Sequence, residues 1–101
     1  MMKATWNGQL IAEAPKSELI LIEGNWYFPP ATIKKEYFTP SETHTTCFWK
    51  GEASYYTVVV DGQKNQDAAW YYPAPSPDAI RRVGKDFSNY VAFWHGVVVG
   101  D

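Results

Sequence analysis

The 101-residue sequence is poor in side chains that bind metals or form disulfides, with one cysteine, Cys47, and two histidines, His44 and His95. One thiol excludes an intrachain disulfide, and it excludes a closed tetrahedral zinc site built from thiolates. A site of Cys47, His44 and a carboxylate is the metal alternative that is left. We therefore expect a protein that has no metal or cofactor and is held together by packing alone.

Charged surfaces and long apolar runs are also scarce. The formal net charge is −2, and the pairs Lys34–Lys35 and Arg81–Arg82 are too short to form the basic surface of a nucleic-acid-binding protein. No apolar run approaches the roughly 18 to 20 residues of a membrane span, and no basic segment followed by an apolar one starts the sequence. We expect a cytoplasmic protein that binds neither nucleic acid nor membranes.

Apolar side chains, in contrast, are abundant. They make up 46% of the sequence, and aromatic side chains alone make up 17%, which is enough to build a packed core. No repeat, low-complexity tract or linker divides the chain. The sequence predicts a single domain over residues 1–101, with a radius of gyration of about 13 Å.

Short β-like segments separated by turn residues dominate the chain. Asn7–Gly8 and Asp61–Gly62 are typical two-residue hairpin turns, because these residue types tolerate positive φ. Residues 30–37 are expected to form one or two helical turns. The predicted fold is mostly β with one or two short helices, and its strands are residues 2–6, 9–14, 18–23, 26–28, 45–49, 53–60, 63–72, 90–94 and 97–99.

One α-helix is predicted after the long β segments. Ser76 is placed to cap it, Pro77 suits the first helical position, and Gly84 is placed to end it. The helix is expected over residues 79–83.

The Asp61–Gly62 turn sets the register between the last two strands of a central meander. With these two residues in the turn, Tyr55 faces Ala68 and Ala53 faces Trp70.

A three-residue turn over residues 50–52 sets the other register, with Cys47 opposite Tyr55 and Trp49 opposite Ala53. Side chains alternate between the two faces along a strand, so a slip of one residue would move them to the other face. The predicted register brings five side chains to one face: Cys47, Trp49, Tyr55, Trp70 and Tyr72.

This shared face predicts a binding site for an unidentified small molecule or peptide side chain. Small Ala53 between two indoles leaves a shallow slot walled by Trp49 and Trp70, and an aromatic slot favours flat or cationic groups. The alternative is that these rings form the core, as most aromatic side chains in a small β domain do. The candidate ligand-binding residues are Trp49, Trp70, Tyr55, Cys47, Lys50, His44 and Tyr72.

Several segments resemble the bacterial family known as domain of unknown function 427. They are residues 23–30 (EGNWYFPP), 41–51 (SETHTTCFWKG), 53–56 (ASYY), 68–73 (AAWYYP) and 91–93 (VAF). The resemblance covers essentially the whole chain, and the His-Thr-Thr-Cys stretch followed by Trp-Lys-Gly is specific to the family. One departure is Phe48, which stands where the family pattern more often has proline.

The resemblance implies a β-tent fold of two roughly orthogonal antiparallel sheets, as in methionine sulfoxide reductase B and the thalidomide-binding domain of cereblon. In the cereblon relative, three tryptophans form a cage on a sheet, which is consistent with aromatic recognition here. The family also carries a nucleotidyltransferase label. The sequence offers that reaction little support, because it has no Asp-x-Asp or Asp-x-Glu pair and no glycine-rich phosphate loop.

Two alternatives to a binding module stay open. An enzyme would use Cys47 as the nucleophile with His44 as its base. Residues three apart in a strand point to opposite faces, so this pair meets only where residues 45–46 form a bulge or turn. The second alternative is a structural interaction protein or homodimer.

Overall fold

Nine short strands and one α-helix make up most of the chain, and a computed structural model describes all 101 residues. The mostly β fold class is therefore confirmed. Three 3₁₀ segments, Lys16–Glu18, Pro30–Thr32 and Lys35–Tyr37, connect strands. The strands are β1 (Met2–Trp6), β2 (Gln9–Ala14), β3 (Ile20–Ile22), β4 (Asn25–Tyr27), β5 (Phe38–Cys47), β6 (Gly51–Val60), β7 (Gln63–Tyr71), β8 (Ala92–Phe93) and β9 (Val98–Gly100), and the helix is α1 (Pro77–Val83).

Both predicted hairpin turns are confirmed. Asn7 and Gly8 have φ values of 52° and 75°, and Asp61 and Gly62 have φ values of 51° and 75°. Positive φ at both central residues matches the right-handed twist of the flanking strands, so these turns join their strands with few residues.

The predicted helix is present over Pro77–Val83, with Pro77 at the first helical position as predicted, so it includes two residues before the predicted range of 79–83. The Ser76 side chain accepts a hydrogen bond from the backbone N–H of Ala79 at 3.1 Å, which satisfies a free donor of the first turn. Gly84 ends the helix in the left-handed conformation, with φ 91°.

The strands form three antiparallel sheets, with the orders β2-β1-β9, β3-β4 and β5-β6-β7-β8. The resemblance implied two sheets, and the difference is the short β3–β4 hairpin, which hydrogen-bonds as a separate ribbon. A pair of backbone hydrogen bonds between Phe28 and Val91 joins the end of this hairpin to the start of β8. The radius of gyration is 13.0 Å, which matches the value expected for a chain of this length.

The predicted register between β6 and β7 holds next to the turn and is wrong further along. A bulge at Asp67, which has φ 56°, moves the pairing by two residues, so that Tyr55 faces Trp70 instead of Ala68. A second bulge lies in β5, and Thr43 Oγ1 donates to Asp67 Oδ2 at 2.7 Å, which joins the two bulged strands across β6.

The predicted register between β5 and β6 is also wrong. The turn consists of residues 48–50 instead of 50–52, so Cys47 faces Gly51 and Trp49 lies in the turn. Both register errors are an even number of residues. Because side chains alternate with a period of two, an even error leaves Cys47, Tyr55 and Trp70 on the predicted common face, whereas Ala68, next to the bulge, lies in the first core.

Two hydrophobic cores cover the two faces of the four-stranded sheet. The first core lies towards β1 and β2, and it contains Met2, Ala4, Ile11, Ala12, Ala14, Leu19, Phe28, Ile33, Phe38, Val58, Val60, Ala68, Ala69, Val91 and Phe93. The second core lies towards β3, β4 and α1, and it contains Ile20, Ile22, Tyr27, Ala53, Tyr55, Tyr72, Ala79, Phe87 and Ala92. The structure has no helix with the length and apolar character needed to cross a bilayer.

Gly62→Ala should destabilise the protein by roughly 1 to 2 kcal/mol, because a Cβ is disfavoured at positive φ although nothing lies within 4 Å of it. Gly100→Ala is the matched control, since the Cβ there also meets open space and the backbone is outside the left-handed region. Urea denaturation measures both free energies of unfolding. Equal values for the two variants would contradict the assigned turn.

Candidate functional site

Five of the predicted binding residues meet at the second core. Tyr55 and Tyr72 are buried members of it, and Cys47, Trp49 and Trp70 pack against it while partly exposed. The predicted common face is thus present, although the residues reach it through a different register. Trp49 reaches it from the β5–β6 turn.

Trp70 is held by a buried tyrosine. Its Nε1 donates to the Tyr27 hydroxyl oxygen at 3.1 Å, and the two rings meet edge to face with centroids 6.2 Å apart. Burial raises the pKa of Tyr27 to about 12, although the Trp70 hydrogen bond acts in the opposite direction. The Trp70 indole is therefore fixed from its N–H side.

Trp94 extends this aromatic surface, and no strand pairing predicted from the sequence included it. Its ring stacks on Tyr55 at 6.3 Å and meets Trp70 at 5.3 Å, and 44% of the residue is exposed. Its Nε1 donates to the backbone carbonyl of Asp67. Finding it required the register between β7 and β8, in which Trp70 faces Ala92.

Lys50 is buried, with 6% of its surface exposed. Its ammonium group contacts the Glu23 carboxylate and lies 5.0 Å from the ring centre of Trp49 and 5.3 Å from that of Tyr72. A buried ammonium group needs a partner of opposite charge, and the two aromatic faces add cation–π attraction. Lys50 was predicted to anchor a ligand, but here its donors serve an internal contact.

Burial also raises the pKa of Tyr72 to about 12, with the neighbouring Cys47, Tyr55 and Glu23 acting in the same direction. The phenol that lies against the Lys50 ammonium group thus stays neutral through the physiological range.

One cavity adjoins this cluster, between the β5–β6 turn and α1. We call it the Trp49 cavity, and its volume is ≈ 390 Å³. Ser76 Oγ donates to the backbone carbonyl of Trp49 at 3.2 Å, so the residue that caps α1 also ties the turn to the helix. The cavity is lined by Phe48, Trp49, Ser76, Asp78, Ala79 and Arg82.

The predicted slot between two indoles is not among the four cavities of the structure, since none is lined by both Trp49 and Trp70. Ala53, which was to lie between the indoles, is buried in the second core. The largest cavity, ≈ 610 Å³, contains no predicted binding residue, and Val59 is its one apolar lining residue. Trp49 is therefore the predicted binding aromatic that lines a cavity.

Cys47 and His44 do not meet. The pairing of β5 with β6 is regular from His44 to Cys47, so the two side chains point to opposite faces of the strand. His44 Nδ1 lies 3.1 Å from Ser54 Oγ and 3.9 Å from a Glu52 carboxylate oxygen, whereas Cys47 packs against the second core. The nucleophile and base of the enzyme alternative are thus separated by the sheet, and His44 is also outside the aromatic cluster.

No group of three or more His, Cys, Asp or Glu side chains in the structure is arranged to hold a metal ion. The site residues outside the predicted set are Glu23, Tyr27, Phe48, Arg82 and Trp94. Glu23, Tyr27 and Phe48 lie in segments that resemble the family, but the resemblance gave them no role in a site. Arg82 and Trp94 follow the β5–β7 meander in the chain, and no motif spacing indicated them.

The family model described as Domain of unknown function (DUF427) matches residues 1–100. No curated protein matches the chain.

Glu23→Gln should lower the free energy of unfolding by about 1 to 3 kcal/mol, because the buried Lys50 ammonium group loses its opposite charge. The control is Glu18→Gln, which removes an exposed carboxylate that has no ion pair. The double variant Glu23→Gln, Lys50→Met removes both charges and should be more stable than Glu23→Gln alone. Urea denaturation of the set tests this, and equal stability of Glu23→Gln and its control would refute it.

The protein should lose stability as the pH rises from about 10 to about 12. Tyr27 and Tyr72 have ordinary pKa values of 10.0 that burial raises to about 12, so the unfolded chain releases these protons first. The contribution of these two tyrosines to the free energy of unfolding is complete below pH 10 and decreases as the pH rises from about 10 to about 12. Tyr72→Phe should make the loss smaller, measured as urea midpoints across the window together with tyrosinate absorbance. An unchanged slope in this variant would count against it.

Proposed function

The chain belongs to the family described as Domain of unknown function (DUF427), and we propose that this member is a binding module whose ligand enters the Trp49 cavity. The proposal concerns a small planar molecule or an aromatic side chain of a peptide. Of the predicted binding residues, Trp49 contacts the ligand. Tyr55, Trp70 and Tyr72 support Trp49 from the second core.

The observation that carries the proposal is an exposed phenyl ring beside a half-buried indole at the mouth of a cavity. Phe48 is 96% exposed, the highest value among the large apolar side chains of the protein, and it lines the same cavity as Trp49. Exposed apolar groups of this size next to a concave surface are typical of interaction sites. Two aromatic rings there offer a ligand stacking surfaces on two sides.

The size and lining of the cavity fit this role. Small-molecule sites are usually concave, of about 300 to 1,000 Å³, and combine apolar walls with a few polar groups. The Trp49 cavity has a volume of ≈ 390 Å³, and Phe48, Trp49 and Ala79 supply its apolar wall. Asp78 and Arg82 supply charged groups at its rim.

The Trp49 indole is positioned before any ligand arrives. The Lys50 ammonium group and the Arg82 guanidinium group both lie against the ring, at 5.0 and 4.5 Å from its centre. Ser76 binds the backbone carbonyl of the same residue. A side chain that is already ordered loses little entropy on binding, and this favours affinity.

Three probes with the same ring test the proposal: indole-3-acetate, indole-3-acetamide and tryptamine. At least one should shift the Trp49 indole N–H resonance in a two-dimensional NMR titration, with that signal assigned from a Trp49→Phe variant. Phe48→Ser should weaken this binding by about three- to tenfold, because one stacking partner is lost. Its urea midpoint should not change, since the ring is exposed.

The matched control is Val98→Ser, which removes another exposed apolar side chain, away from the Trp49 cavity. It should leave the titration unchanged. The proposal fails if none of the three probes shifts the Trp49 resonance, or if both serine variants alter binding equally.

A further inference from the structure

Arg82 is the charged group at the Trp49 cavity that has no partner of opposite charge. The three ion pairs of the protein join His44 to Glu52, Lys50 to Glu23 and Arg81 to Asp78. Arg81, the neighbour of Arg82 in the sequence, therefore neutralises the carboxylate of Asp78, which lines the same cavity. The Arg82 guanidinium group is left as an available positive charge at the rim.

The orientation of Arg82 leaves its hydrogen-bond donors free. Its guanidinium carbon lies 4.5 Å from the ring centre of Trp49, and the group makes no hydrogen bond within the protein. A guanidinium group attracted to an indole face by its charge still carries five N–H donors in a planar fork. That fork matches the two oxygens of a carboxylate.

We infer that the Trp49 cavity selects an aromatic carboxylate, whose ring stacks between Phe48 and Trp49 and whose carboxylate pairs with Arg82. This inference rests on the proposed function and gives its ligand class. A single negative charge is favoured over a doubly charged phosphate, because one unpaired cation is present and the Asp78 carboxylate lies nearby. The acid group belongs either to a free small molecule or to the C-terminus of a peptide that ends in an aromatic residue.

The same three indole probes separate this inference from the proposed function. Indole-3-acetate should bind at least about tenfold more tightly than indole-3-acetamide, which has the same shape without the charge, since charge-assisted hydrogen bonds are the stronger kind. Tryptamine should bind most weakly, because its ammonium group meets Arg82. Equal binding of acid and amide would overturn the inference and leave the binding module intact, and absence of binding by all three would remove both.

Arg82→Gln should weaken the binding of indole-3-acetate by about tenfold and leave the binding of indole-3-acetamide unchanged. Unchanged binding of the amide shows that the cavity is intact. The matched control is Lys85→Gln, which removes one positive charge from an exposed side chain outside the cavity lining and should change acid binding less than about twofold. Arg82→Lys should weaken the binding of indole-3-acetate by an amount between those of these two variants, because an ammonium group keeps the charge but lacks the planar fork of N–H donors. Equal losses in Arg82→Gln and Lys85→Gln would overturn the inference.

Titrations with peptides distinguish the two sources of the carboxylate. A pentapeptide that ends in tryptophan is titrated with a free and with an amidated C-terminus. Tight binding of the free-acid peptide, lost on amidation, assigns a peptide C-terminus as the source, whereas binding of indole-3-acetate alone assigns a free small acid. Both results support the carboxylate inference, whereas a pair of peptides that both bind, with the same affinity, contradicts it.

Discussion

The buried ammonium group of Lys50 holds together the parts of the chain that form the site. It extends from the β5–β6 turn, contacts a carboxylate in the β3–β4 turn and lies between the rings of Trp49 and Tyr72. A desolvated charge is costly unless it is paired, so the two turns and the end of β7 are held near one another. Trp49 is thereby held against the second core, next to a cavity. The geometry on which the proposed ligand contacts depend follows from this one arrangement.

Aromatic packing stabilises the region behind that contact. Phe87 meets both Tyr27 and Tyr72 edge to face, at 6.4 and 6.0 Å, and Tyr27 in turn accepts the Trp70 hydrogen bond. Rings packed at these angles have few alternative arrangements, because the edge of one must point at the face of the next. Packing of this kind stabilises the shape of the site. The rings that were predicted to bind a ligand are, with the exception of Trp49, used largely for this support.

Family membership and the site carry different information about this protein. The family match establishes what the chain is related to, and it leaves the chemistry to be argued from side chains. The thiol and the imidazole of the enzyme alternative point away from each other because an unbroken β-strand separates them by three residues. The proposed recognition of a ligand rests on the cavity, the exposed phenyl ring and the unpaired guanidinium group. These features lie at one end of α1, where the helix cap and the β5–β6 turn meet.

Local features were predictable from the sequence because each depends on a few adjacent residues. The hairpin turn at Asp61–Gly62 and the capped helix after Ser76 needed only the φ preferences and hydrogen-bonding groups of those residues. The common face of Cys47, Tyr55 and Trp70 was also predictable, since alternation has a period of two, and both the Asp67 bulge and the displaced β5–β6 turn changed the register by an even number of residues. The contacts of Lys50 with Glu23 and of Arg82 with Trp49 were decided by tertiary structure. These contacts join residues from separate turns and a helix. The distance between such residues depends on how the β3–β4 hairpin and α1 pack on the sheet, which no local pattern encodes.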